Sequence, residues 1–167
     1  MAIAPRGYAP PLNEAPQIGV GFDGGDEAHK ALEWAAAFAR MAGGRLRVIA
    51  VHQPIAFGAV GVGTFPTELV SQALRLELRG EVDEAIARLE GVATELRLTD
   101  GNPAALLAAE SDELDLLVLG SRGYGPLRSV LMGSVSEATV ARSRSPVVVV
   151  PRDSEEPRGA DAKEPSR

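Results

Sequence analysis

The sequence predicts an α/β protein, a single parallel sheet with helices on both faces. Two observations carry this. Short apolar runs that stop at glycine or a turn alternate with longer segments of helical periodicity. The stretch from Leu114 to Arg152 reads as strand, glycine-rich loop, helix, strand. That order sets bare backbone amides and a helix N-terminus beside the carboxyl end of a strand, where phosphates bind well. Right-handed crossovers then allow a doubly wound sheet, whose ligands sit outside the carboxyl ends of the strands where the strand order reverses.

Residues 1–16 are proline-rich and lack periodicity, so a flexible tail is expected. The first strand is Gln17–Phe22, stopped by Asp23-Gly24-Gly25. Asp26 is placed to cap a helix over Glu27–Met41, where Ala28, Ala31, Leu32, Ala35, Phe38 and Ala39 recur at helical spacing. Gly43-Gly44 end that helix, and Leu46–Val51 forms the second strand. The connection His52–Thr64 is long for an α/β fold. Pro66 opens a second helix to about Glu90, with Leu69, Ala73, Leu76, Val82, Ile86 and Leu89 as its apolar side. Gly80 weakens it by about 1 kcal/mol relative to alanine. The third strand is Ala93–Leu98. Asp100-Gly101-Asn102 make a turn, and Pro103 suits the first turn of a third helix reaching about Glu110. Leu114–Arg152 supplies the fourth strand, the fourth helix and a last strand of four valines, Val147–Val150. The ordered domain is expected over 17–152, with 153–167 a disordered charged tail.

Composition excludes several classes of function. The chain has 167 residues, 45% of them hydrophobic, enough for one core. It has no cysteine, which removes disulfides, thiolate catalysis and zinc fingers and is compatible with a reduced cytoplasm, the expected location. A net charge of −6 without a basic run argues against nucleic acid. No apolar run approaches the roughly 20 residues of a membrane span, so no membrane is expected.

Residues 17–152 resemble the universal stress protein family. The carrying feature is Gly120-x2-Gly123-x9-Gly133-Ser134, the spacing of the family's ATP-binding pattern. Asp23-Gly24 after the first strand, Ala31-Leu32-x-Trp34-Ala35, and Pro146 before the four valines support it. The resemblance implies a Rossmann-like, five-stranded parallel sheet of order 3-2-1-4-5, a homodimer, and ATP, alone or with Mg²⁺, between strands one and four. One departure is Gly25, where the family usually has serine.

Each candidate residue has a functional and a plain reading. Gly120 and Gly123 either let amides approach phosphates or form a turn needing positive φ. Gly133, Ser134, Val135 and Ser136 open the fourth helix. Ser134 either caps it or donates to a phosphate, and by resemblance Ser134 and Ser136 contact the β- and γ-phosphates. Asp23 either accepts from a ribose or adenine donor or shapes the turn before Gly24. Gly21 leaves room for the base, and Val51 packs on adenine or is an ordinary core valine. Arg122, flanking Gly123, and Arg128 can pair with phosphate oxygens or be solvated. His29 and His52 are assigned structural or surface roles, and Trp34 the edge of the core. Val147–Val150, placed at the sheet edge, is expected to pair with its copy in a homodimer.

Three functions remain open. The first is an ATP-binding, nucleotide-dependent stress-response module. The second is an interaction module of the same fold that ignores nucleotide. The third is an adenylating or ATP-hydrolysing enzyme. The third is weakened because Phe22-Asp23-Gly24-Gly25-Asp26 lacks a Ser-Gly-Gly pyrophosphate signature. No general base is evident, so hydrolysis is expected to be slow or absent.

Overall fold

The apolar runs become strands and the periodic segments helices in a computed structural model that describes residues 2–5, 15–54, 67–121 and 133–151. In chain order the elements are β1 (Ala2–Ile3), β2 (Gln17–Phe22), α1 (Asp26–Ala42), β3 (Arg45–His52), α2 (Thr67–Ala87), β4 (Thr94–Asp100), α3 (Pro103–Glu110), β5 (Leu116–Gly120), α4 (Ser134–Val140) and β6 (Val147–Val150). A single 3-10 turn, Ser111–Glu113, leads from α3 towards β5.

The sheet runs β1-β6-β5-β2-β3-β4. The pairs β2–β3, β2–β5, β3–β4 and β5–β6 are parallel. β1 is antiparallel to β6, with Ala2 opposite Val148 and Ile3 opposite Val147. The expectation of a wholly parallel, five-stranded sheet is thus corrected to a mixed sheet of six strands. A two-residue strand has no period for a sequence reading to detect. Its partner is an open valine ladder whose backbone groups accept an extended segment readily. Residues 2–3, expected within a flexible tail, therefore belong to the sheet. The homodimer expected through Val147–Val150 loses part of its premise, because the chain's own β1 takes the outer edge at Val147 and Val148.

Alternation along the strands divides the core in two. Leu46, Val48 and Ala50 of β3 face α1 and α2, together with Ile18, Val20 and Phe22. Ile49 and Val51 face the other way, with Leu107 of α3, Leu117 and Leu119 of β5, and Val140 of α4. Ala31, Ala35, Ala36 and Ala39 let α1 lie close on the sheet. α1 ends at Gly43, whose φ of 65° is left-handed and whose amide bonds back into the helix. Its N-cap is Gly25 rather than the expected Asp26, which instead sits in the first turn and meets the positive helix end. Asn102 caps α3, accepting from the Ala105 amide at 3.0 Å, with Pro103 behind it.

α2 departs from its expected apolar side. Val82 and Ala85 are buried, and Leu78, Ile86 and Leu89 pack against the same core. Leu69, Ala73 and Leu76 are exposed. Each half of the helix is periodic. Six residues separate Leu76 from Val82, however, and that is not a whole number of turns, so the two halves face opposite ways. On the α3 side, Arg47 of β3 binds Glu95 at 2.5 Å, Glu110 at 3.1 Å and Glu113 at 2.9 Å, fastening α3 to the sheet. Burial disfavours its charge, but hydrogen bonds to Glu113 and Glu95 outweigh that and raise its pKa above the ordinary value.

Candidate functional site

β2 lies between β3 and β5, so the chain leaves it in one direction and returns on the other. At the carboxyl ends of these strands a cleft of about 360 Å³ opens, a volume suited to a small organic ligand. β2 contributes Gly21 and the following Asp23, β3 Val51 and the following Gln53, and β5 Gly120. Gly133, Ser134, Val135 and Ser136 close one side, and Pro103 and Leu107 of α3 line it as well. Eight of the ten residues expected at a site are therefore brought together. The other two, Arg122 and Gly123, lie outside the described residues, as does Arg128.

The glycines have distinct reasons. A Cβ on Gly120 would lie 2.7 Å from the Glu27 carbonyl oxygen and 2.8 Å from its carbonyl carbon. Gly120 is not among the positive-φ glycines. It is glycine because strand and helix backbones meet there, not because of a left-handed turn. A Cβ on Gly21 would lie 2.8 Å from Leu119 Cδ2 and 3.2 Å from Leu107 Cδ2. The leucines of the cleft floor thus crowd this position, which also lines the cleft. Gly24 does have a positive φ, 81°.

Gly133 is the N-cap of α4, with φ −61°, ψ 156° and no side-chain cap. Ser134 is therefore the first helical residue and does not cap the helix as its plain reading expected. The first amides of a helix have no acceptor within it, and here they border the cleft. The Ser136 hydroxyl is buried and donates to the Gly120 carbonyl at 3.1 Å. This bond ties the start of α4 to the end of β5. Asp23 Oδ1 accepts from the Gly25 amide at 3.1 Å, so its turn-forming role is present beside its place in the cleft.

Several lining residues escaped the sequence reading. Gln53 follows β3 at its carboxyl end, where the switch-point rule alone would have put it on the rim. Glu27 lines the cleft from the first turn of α1. Ile49, Leu107 and Leu119 form its apolar floor, and nothing in their spacing separates them from ordinary core.

Neither histidine lines the cleft. His29 meets Phe22 edge to face at 4.9 Å, and its Nδ1 is 3.0 Å from the Gly25 carbonyl. His52 is buried on the opposite face of β3, its Nδ1 donating to Asp100 Oδ1 at 3.1 Å. Desolvation would raise the Asp100 pKa, but Arg75 and His52 hold it below the usual carboxylate value. Trp34 stacks on Phe38 at 5.4 Å at the edge of the core. Among the described residues no group of three or more histidine and carboxylate side chains is arranged to hold a metal, and no helix is long and apolar enough to cross a membrane.

Comparison with known proteins agrees with this fold. The model of the universal stress protein family matches residues 15–151. A universal stress protein of Thermus aquaticus is 36% identical over 132 residues, covering 77% of this chain and 93% of that one. One from Mycobacterium tuberculosis is 30% identical over 164 residues, covering 86% of this chain. The chain spans about half the length of that relative, 49%. A universal stress protein solved in complex with cAMP superposes with a TM-score of 0.54 at 26% identity, covering 83% of this chain and 98% of the other. Through a family match over nearly all of the described sheet and a relative matched over almost its whole length, the chain belongs to the universal stress protein family.

Proposed function

We propose that the chain binds an adenine nucleotide, ATP in the first instance, in the cleft between β2 and β5, and acts as a nucleotide-dependent stress-response module of the cytoplasm. The observation that supports this most is the meeting of Gly133–Ser136 with Gly120, Asp23 and Val51 around one cleft. The first-turn amides of a helix favour phosphate. Val51 and the leucine floor offer apolar surface to a base, and Asp23 and Gln53 offer polar groups to a ribose or to the base edge. Asp23 and Glu27 oxygens suit Mg²⁺, a hard cation held by one or two carboxylates together with phosphate. The reading is one of binding, with hydrolysis slow at most.

Thermal melting with added ATP tests this. A ligand at about 100 times its Kd stabilises the native state by about 2.7 kcal/mol, a shift that dye fluorescence resolves easily. An unchanged melting temperature at saturating ATP removes the proposal. The relative solved with cAMP makes the cyclic nucleotide the second compound to titrate. Stabilisation by cAMP and not ATP would keep the site and change the ligand.

A further inference from the structure

The two halves of α2 are held very differently. From Glu81 onward the helix is anchored. Val82 and Ala85 are buried, and Ile86 and Leu89 pack against the same core. Glu81 Oε2 fills the space beside Gly24 where a side chain would stand. From Glu68 to Arg79, by contrast, not one residue is buried. Leu69 and Leu76 are 61% and 71% exposed. Ser71, Arg75 and Leu78 are half-buried, one stripe at helical spacing. So few buried contacts over about three turns mark a segment that opens more easily than the rest of the fold. Gly80 stands at the boundary. A Cβ built there meets nothing within 4 Å, and its φ is not positive. Neither packing nor backbone conformation among the described residues asks for glycine, yet glycine weakens a helix interior. The one ion pair that spans it, Arg79 with Asp83 at 2.7 Å, is exposed and braces it little.

One carboxylate oxygen ties this loosely held half to the sheet. Asp100 Oδ1, at the end of β4, accepts from Arg75 Nε at 3.0 Å and from His52 Nδ1, at the end of β3, at 3.1 Å. The pair with Arg75 is exposed, a weak hold. His52 is buried, and its Nε2 has no partner among the described residues. A buried nitrogen without a partner is a standing cost of this arrangement. We infer that residues 67–79 form an arm jointed at Gly80, shut while Arg75 and His52 share Asp100 Oδ1, and open when Arg75 lets go and water reaches His52. Glycine at the joint then has a purpose, since hinges fall on small residues that absorb a change of backbone angle. The latch also touches the cleft. Val51 and Gln53, on either side of His52 in the chain, point to the opposite face and line it. A ligand packed on these two fixes the end of β3, and with it the His52 side of the latch. It therefore favours the shut arm, a bias that rests on the nucleotide reading given above. The arm is the part by which an occupied cleft changes the outer surface of the molecule.

The absence of cysteine makes the test clean, since introduced thiols carry spin labels alone. Ala37 on α1, Ala73 on the arm and Ala87 on the anchored half are all exposed. Pulsed electron paramagnetic resonance on the full chain then reads two distances, one with Ala37→Cys and Ala73→Cys, the other with Ala37→Cys and Ala87→Cys. The first pair is expected to show a shut and an open distance, the second a single one. Asp100→Asn is expected to raise the open-to-shut ratio about two- to fivefold, the range of an exposed ion pair. Gly80→Ala is expected to lower it about fivefold, by favouring the unbroken helix. ATP is expected to lower it as well. A single Ala37–Ala73 distance in both the parent and Asp100→Asn overturns the inference, and so does a second distance for the Ala37–Ala87 pair, which would mean that the whole helix moves. An open share that ignores Asp100→Asn overturns the latch. If ATP raises the melting temperature and leaves the distances unchanged, the cleft does not bias the arm. If ATP does neither, the nucleotide reading falls and takes that bias with it, while joint and latch are decided by the ligand-free measurements.

Discussion

Replacing Gly120 by alanine asks whether the wall of the cleft is a contact between two backbones. The added Cβ would stand 2.7 Å from the Glu27 carbonyl oxygen, 2.8 Å from its carbonyl carbon and 3.0 Å from its Cβ. Ordinary contacts begin at 3.4 Å, so strand and helix must part by several tenths of an ångström. No rotamer change relieves this. β5 is hydrogen-bonded between β2 and β6. The first turn of α1 is held by the Ala28 and His29 amides, which donate to the Gly25 carbonyl at 3.0 and 3.1 Å. Overpacking of this kind costs about 1–3 kcal/mol. At roughly 2–4 °C per kcal/mol for a chain of this size, the melting temperature should fall by about 2–12 °C. The assay is thermal melting without nucleotide, in dilute solution. Gly80→Ala is the control, since its Cβ enters open space and should raise stability by about 1 kcal/mol. If Gly120→Ala melts with the parent, the two backbones do not touch and the close-approach argument is wrong.

Three further outcomes are expected. Gly133→Val should abolish the thermal shift produced by ATP, because a branched side chain enters the space before the first amides of α4; a full shift in this variant would separate nucleotide binding from that helix end. Ser136→Ala should cost about 1–3 kcal/mol in urea unfolding, since it leaves the Gly120 carbonyl without its hydroxyl donor, and an unchanged midpoint would mean that the bond is replaced by solvent. Asp100 should shape the acid limb of stability. Its folded pKa is depressed, so its contribution is full above the unfolded value of roughly 4 and is lost as pH falls through the folded value. Asp100→Asn should therefore lose less stability than the parent on acidification, and identical acid limbs for the two would contradict this. The effect at neutral pH should be small because the pair with Arg75 is exposed.

Much of the site was legible because its residues sit at places where backbone, not side chain, decides. Glycine at the end of an apolar run and a Gly-Ser pair before a helix are local signals, and both reached the cleft. What failed was non-local. The sequence says where a glycine lies but not what lies over it, so the two readings of Gly120, an approach to phosphate or a turn, both left out the helix backbone it abuts. Gly21 read as space for a base, with no sign of the two leucines that crowd it. Asp26 had the chemistry of a cap, but the extended backbone fell one residue earlier, at Gly25. β1 is too short to carry a pattern, and α2 carries two patterns out of phase, which a single list of apolar positions merges into one. Gln53 and Leu107 reach the cleft because β3 ends and α3 begins there, a fact of topology with no local trace.

The Ser136–Gly120 hydrogen bond and the Gly120–Glu27 contact form a short mechanical train. The hydroxyl on the first turn of α4 grips the last carbonyl of β5, and the same residue of β5 abuts the first turn of α1 with no side chain to cushion it. A displacement of α4 by an incoming anion would reach α1 with little slack. Helix α1 in turn lies across the strands through alanines, which have no rotamers to absorb the push. The cleft is wired to the outer helical layer by parts too small to bend.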